Sequence, residues 1–177
     1  MIKILHLSTG GTITGCAPEY PQIADLAAFF SDAIHIEKYL CDSLKMTAEY
    51  SSVEICNKDS RDINEQDLKN LQNEIEKAYS TTKHFLITHG TYTMPETAIY
   101  LMDNLPENIL NDVSIILTGA MYPMNLIGSD GLMNLGASVS SLINSDKPLG
   151  IKINMHGKNW EPRTIEKDTE NLIFKEI

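Results

Sequence analysis

Three short apolar runs in this chain each break into a segment rich in hydroxyls and glycine. Ile4-Leu5-His6-Leu7 leads into Ser8-Thr9-Gly10-Gly11-Thr12-Ile13-Thr14, and Phe85-Leu86-Ile87-Thr88 leads into His89-Gly90-Thr91-Tyr92-Thr93. Val113-Ser114-Ile115-Ile116-Leu117 leads into Thr118-Gly119-Ala120-Met121. Runs of this length with almost no polar interruption read as strands covered on both faces. Between them the period changes. Leu68, Leu71, Ile75 and Ala78 recur at three and four residues behind Asn64, a good helix cap. Pro95 opens a helical pattern through Ala98, Tyr100 and Met102, at a position that needs no backbone donor. Further helices are expected from about Asp25 to Leu40 and from about Gly131 to Ile143, and further strands over Met46 to Cys56 and Gly150 to Met155. Alternation of this kind predicts an α/β fold, a doubly wound, mostly parallel sheet with helices on both faces. The loops at the carboxyl ends of such strands gather at one edge, so the three segments should converge on one crevice. The polar tail from His156 to Ile177 is expected to be a loop that returns to the sheet.

With 177 residues, 42% of them hydrophobic, the chain can bury one full core and is short for two. Residues 1–177 are therefore expected to be a single domain. A net charge of -10 argues against a nucleic-acid partner, which needs clustered Lys and Arg, and favours a small-molecule ligand. Cys16, Cys41 and Cys56 are odd in number and lack Cys-x-x-Cys spacing, so neither a disulfide framework nor a zinc site is expected. No His-Glu-x-x-His run occurs, and Gly10, Gly11 and Gly15 form neither a dinucleotide fingerprint nor a Walker loop. The expectation is thus no metal and no cofactor. The first apolar run is too short for a signal-peptide core or a membrane span, which predicts a cytoplasmic protein that does not engage a membrane. His89 reads as a structural histidine at a strand end, and Met121, Met124 and Met133 as core filling.

A threonine hydroxyl is a weak nucleophile at neutral pH and needs a base, a nearby cation, or both. Thr12 and Thr91 each follow a glycine, Gly11 and Gly90, that lets the backbone approach a ligand closely. Amides of those four residues are placed to serve a developing oxyanion. One glycine-threonine turn after a strand commonly does no more than close a βα loop. Three on one sheet edge favour catalysis.

These residues carry a family resemblance. Thr9-Gly10-Gly11-Thr12-Ile13 resembles the first signature of the bacterial-type L-asparaginase/glutaminase family, and Thr88-His89-Gly90-Thr91-Tyr92-Thr93-Met94-x-Glu96-Thr97-Ala98 resembles the second except at Tyr92. Thr118-Gly119-Ala120-Met121-x-Pro123 with Ser129-Asp130-Gly131-x-x-Asn134-Leu135 is similar to a third block. The likeness covers the family's amino-terminal domain, of flavodoxin-like layout, and leaves its smaller carboxyl-terminal domain without a counterpart. It implies hydrolysis of the side-chain amide of L-asparagine, possibly glutamine, to the acid and ammonia, without a cofactor. In that scheme Thr12 is the nucleophile, Thr91 the second active-site threonine, and Lys167, in Arg163-Thr164-Ile165-Glu166-Lys167, its lysine partner. Tyr20 resembles the lid tyrosine that activates the first threonine. Ser60, with Arg61 beside it, resembles the serine that holds the substrate's α-carboxylate, and Ala120 the alanine whose carbonyl faces the leaving amide. A homo-oligomer, a dimer or larger, is also implied.

Tyr92 departs from the pattern. The family has an aspartate there that pairs with the substrate's α-ammonium. Either another acid supplies that charge, with Glu19 and Asp59 as candidates, or the substrate is not a free amino acid. Two alternatives therefore stay open beside the asparaginase: a module that binds an amino acid or amide without turnover, and an amidase for an amine-blocked substrate.

Overall fold

The computed structural model describes residues 1–14, 48–124 and 126–177. The helix expected near residues 25–40, the candidates Glu19 and Tyr20, and Cys16 and Cys41 lie outside the described residues. The strands are β1 (Ile2–Gly10), β2 (Ala48–Lys58), β3 (His84–Thr88), β4 (Ser114–Thr118), β5 (Gly150–Met155), β6 (Lys158–Trp160), β7 (Ile165–Asp168) and β8 (Ile173–Glu176). The α-helices are α1 (Glu65–Ala78), α2 (Met94–Asn104), α3 (Glu107–Leu110) and α4 (Gly131–Asn144). Six strands form one sheet in the order β2-β1-β3-β4-β5-β6. All its pairings are parallel except β5 with β6.

Side-chain alternation along each strand divides the core in two. Leu5, Leu7, Phe85, Ile87, Ile115 and Leu117 face one side, where they pack with Leu71 and Ile75 of α1 and Ala98 and Leu101 of α2. Ile4, Leu86 and Ile116 face the other, against Leu135, Val139 and Leu142 of α4. Burying a large apolar side chain of this kind is worth about 1.5–3 kcal/mol, so the three central strands are the stable frame on which the loops rest. The helix starts follow the chemistry read from the chain. The Asn64 side chain accepts from the amides of Gln66 and Asp67, and Asp67 accepts in return from the Asn64 amide. This capping box gives acceptors to three backbone amides at the helix start. Asp67 also takes the Lys58 ammonium at 2.6 Å, tying α1 to the carboxyl end of β2.

The tail is not a loop. After a turn at His156 and Gly157, both with positive φ, β6 adds to the sheet edge, and β7 and β8 pair antiparallel as a separate ribbon with Lys167 opposite Phe174. Ile165 and Phe174 are buried in the core shared with α2, and the alternation from Ile165 to Asp168 turns Glu166 outward. Two apolar anchors in a polar segment are enough to seat a ribbon that already rests on a formed core. Of the methionines expected inside, Met124 is buried and Met133 is 53% exposed, because its position on α4 faces away from the sheet.

Candidate active site

Strand order reverses between β1 and β3, which lie side by side with their continuations leaving in opposite directions. A parallel sheet opens a crevice at such a point. Gly10 and Gly11 follow each other with φ of 95° and 84°, a region most side chains avoid. A Cβ on Gly11 would run into the backbone of Gly90, one on Gly10 would come within 2.5 Å of the Lys58 amide, and one on Gly90 would meet the Ser60 Cβ at 2.7 Å. The loops after β1, β2 and β3 can pack backbone against backbone only because these positions are bare. Gly11 N donates to Lys58 O at 3.0 Å, the Thr9 hydroxyl to Thr88 O at 3.0 Å, and the Thr93 hydroxyl to Ser60 O at 2.7 Å, fastening the three loops together.

They enclose a cavity of about 300 Å³ lined by Gly11, Thr12 and Thr14, by residues 57–60, and by Gly90, Thr91 and Tyr92. Thr12 is partly exposed to it, and Thr91 is 3% exposed. Ser60 is buried, and its hydroxyl is without a hydrogen-bond partner among the described residues. A buried hydroxyl left unpaired costs about 1–3 kcal/mol, a cost that a ligand in the cavity can offset. Lys167 reaches the site from the ribbon. Its Nζ donates to the Thr91 hydroxyl at 2.7 Å and stands 3.5 Å from the centroid of the Tyr92 ring. Burial first, and the Arg61 charge second, push the Lys167 ammonium below the usual lysine range, while Asp59 opposes them.

Arg61 does not line the cavity. It grips Asp59 through Nε at 2.9 Å and Nη2 at 2.8 Å, and its guanidinium lies 4.5 Å from the Tyr92 centroid. Those bonds, with one from the Arg61 amide, hold the Asp59 carboxyl down at about 2. Ala120 also lies outside the lining residues. It is fully buried in the core on the α4 side, close to where a Gly131 side chain would stand. Asp130 holds the loop after β4 to the start of α4, accepting from the amides of Met121 at 3.0 Å and Tyr122 at 3.1 Å and from Asn134 Nδ2 at 2.9 Å.

Asn57, Lys58 and Thr14 are lining residues that the sequence did not single out. Their signal is positional, since each stands within a few residues of a strand's carboxyl end. His89 is structural. Its Nδ1 donates to Gly90 O at 2.7 Å, and in the neutral ring Nε2 accepts from the Thr97 hydroxyl at 2.9 Å. Burial lowers this histidine from an ordinary 6.5 to about 4. The unfolded chain therefore binds the extra proton first as pH falls. The stabilisation is complete above about pH 6.5 and is lost on descending toward pH 4, by about 3 kcal/mol in all. Urea midpoints should drop between pH 7 and pH 4.5, and His89→Gln should flatten that slope. An unchanged slope in the variant would assign it to other groups, His84 among them, which burial also lowers.

Among the described residues no group of three or more His, Cys, Asp or Glu is placed to hold a metal ion, and no helix is long and apolar enough to cross a membrane. The family profile described as "Asparaginase, N-terminal" matches residues 3–172. A protein named "Probable L-asparaginase 4", from Schizosaccharomyces pombe, is 32% identical over 152 residues, 84% of this chain and 40% of that protein. "L-asparaginase 2" of Escherichia coli is 28% identical over 180 residues, 99% of this chain and 49% of its own length. Among solved structures, the "Probable Cytoplasmic L-asparaginase from Campylobacter jejuni" superposes with a TM-score of 0.80 at 27% identity, over 99% of this chain and 53% of that one. The chain spans about half the length of the relatives it matches.

Proposed function

Since the chain belongs to the asparaginase family, we propose that it is an amidohydrolase that uses Thr12 to cleave the side-chain amide of asparagine, or of glutamine, releasing ammonia. The observation that carries this reading is the Lys167 ammonium donating at 2.7 Å to the Thr91 hydroxyl, at the wall of a crevice that Thr12 shares. A cation there favours loss of a proton from the hydroxyls and stabilises negative charge as it develops.

The Thr12 oxygen forms a bond to the amide carbon and gives up its proton, while charge gathers on the carbonyl oxygen. The carbon–nitrogen bond then breaks, and the nitrogen leaves as ammonia with the proton it needs. Water attacks the resulting ester, restoring the threonine hydroxyl and leaving a carboxylate, so that amide and water give acid and ammonia. Tyr20, the candidate general base for Thr12, belongs to this reading and lies outside the described residues. The Ser60 hydroxyl, buried and unengaged among the described residues, is the donor for the substrate's carboxylate. A cytoplasmic homo-oligomer is part of the same proposal.

The test is ammonia release, measured over asparagine, glutamine and a panel of other carboxamides. Release that rises with enzyme concentration and saturates with substrate is expected. No release from any carboxamide would overturn the reading in favour of a binding module.

A further inference from the structure

The charges around the crevice are unevenly engaged. Lys58 is paired with Asp67 at 2.6 Å, and Asp59, the acid in the lining, has both carboxylate oxygens occupied by Arg61. Lys167 has no ion-pair partner among the described residues, and the acids beside it on the ribbon are engaged elsewhere. Glu166 pairs with Lys175, and Asp168 holds Lys175 and the Asn171 side chain. Tyr92 lies at the mouth, 44% exposed, with the Lys167 ammonium and the Arg61 guanidinium both against its ring. The negative face that an aromatic ring offers a cation is thus already in use. Among the described residues, the donors left to a ligand are the Ser60 hydroxyl, which has no hydrogen-bond partner, and the Lys167 ammonium, which has no ion-pair partner.

Resting on the amidohydrolase reading, we propose that this crevice selects carboxamides that carry a carboxylate but no free ammonium, with the amine absent, as in succinamate, or acylated, as in N-acetyl-asparagine. A ligand ammonium would approach Lys167 and Arg61 with no disengaged carboxylate among the described lining residues to meet it, and like charges at this range repel. A ligand carboxylate meets a hydroxyl without a hydrogen-bond partner and a cation without an ion-pair partner among the described residues. The preference comes from what the ring and Arg61 have already taken, so a charge introduced at position 92 should reverse it.

The experiment compares succinamate, N-acetyl-asparagine and free asparagine in two assays. Ammonia release gives kcat/KM for the native protein, and calorimetry with Thr12→Ala gives dissociation constants without turnover. At least one amine-free or acylated ligand is expected to exceed asparagine about tenfold or more in both, the scale of one charge-assisted contact. Tyr92→Asp should shift the ratio toward asparagine by about ten- to hundredfold, while the neutral Tyr92→Asn, of the same size as the acid, should leave the order unchanged. Equal or tighter binding of asparagine by the Thr12→Ala protein overturns the proposal, and so does failure to bind any of the three. If binding follows the predicted order but no carboxamide is hydrolysed, the amidohydrolase reading falls and the ligand class stands. If Tyr92→Asp fails to fold, the ranking in the other two proteins still decides.

Discussion

The Thr12→Ala protein is expected to fold normally, bind its ligand and release ammonia at least about 10³-fold more slowly, the scale on which removing a nucleophile acts when the rest of a site is left in place. The fold should survive because the loop is held by other groups. Gly11 N donates to Lys58 O, and Thr14 returns both its amide and its hydroxyl to Gly11 O. Thr12 itself is only partly buried, and substitutions at such places usually stay within about 0.5 kcal/mol. Thr12→Ser should retain a measurable part of the rate because it keeps a hydroxyl. Circular dichroism, a thermal melt and an ammonia assay on the three proteins decide the matter. Ammonia release by Thr12→Ala at the native rate would remove Thr12 from the chemistry.

Lys167→Met is expected to separate activity from stability. The substitution gives an unbranched side chain one atom shorter and removes the ammonium that touches Thr91, so turnover should fall about 10²- to 10³-fold, as when one preorganised electrostatic partner is lost from a site. Stability should hold or rise. Burial already pushes this lysine below the usual range, which means that the fold carries its charge at a cost, and an uncharged chain of similar shape avoids that cost. Thr91 loses a donor, but a hydroxyl can turn toward the cavity. A melt showing large destabilisation, or an unchanged kcat, would make Lys167 a structural residue. The expected pattern, low kcat in an equally stable protein, is one that a purely structural lysine does not produce.

Most of the sheet could be read in advance because its central strands are covered on both faces, so their apolar runs are continuous and their ends are marked by glycine. The Phe85 to Thr88 and Gly150 to Met155 runs coincide with β3 and β5 to within a residue. The ribbon was hidden for the opposite reason. β7 and β8 are four residues each and bury one large side chain apiece, too little periodicity to separate a strand from a polar loop. At the crevice, Thr12 and Thr91 were singled out by residue type and place and Ser60 by the family resemblance, and all three line one cavity. The bonds by which Asp130 fixes the loop after β4 were not legible, because adjacency to a strand end does not say which way a loop turns. Tyr92 stood out as a departure. That two cations would settle on its ring could not be seen, since Arg61 and Lys167 reach it from segments far away in the chain.

The ribbon also sets an order of assembly. Thr91 and its lysine are separated by 76 positions, and the strand that carries Lys167 is paired with one that ends at Glu176. During synthesis, which delivers the amino-terminal part first, all five parallel strands leave the ribosome before that lysine does. The nascent protein can therefore have its hydroxyls and loops in position while the ammonium is still missing. On the amidohydrolase reading, chemistry waits for a segment made after the parallel strands, and a chain truncated before Lys167 is expected to be folded but silent.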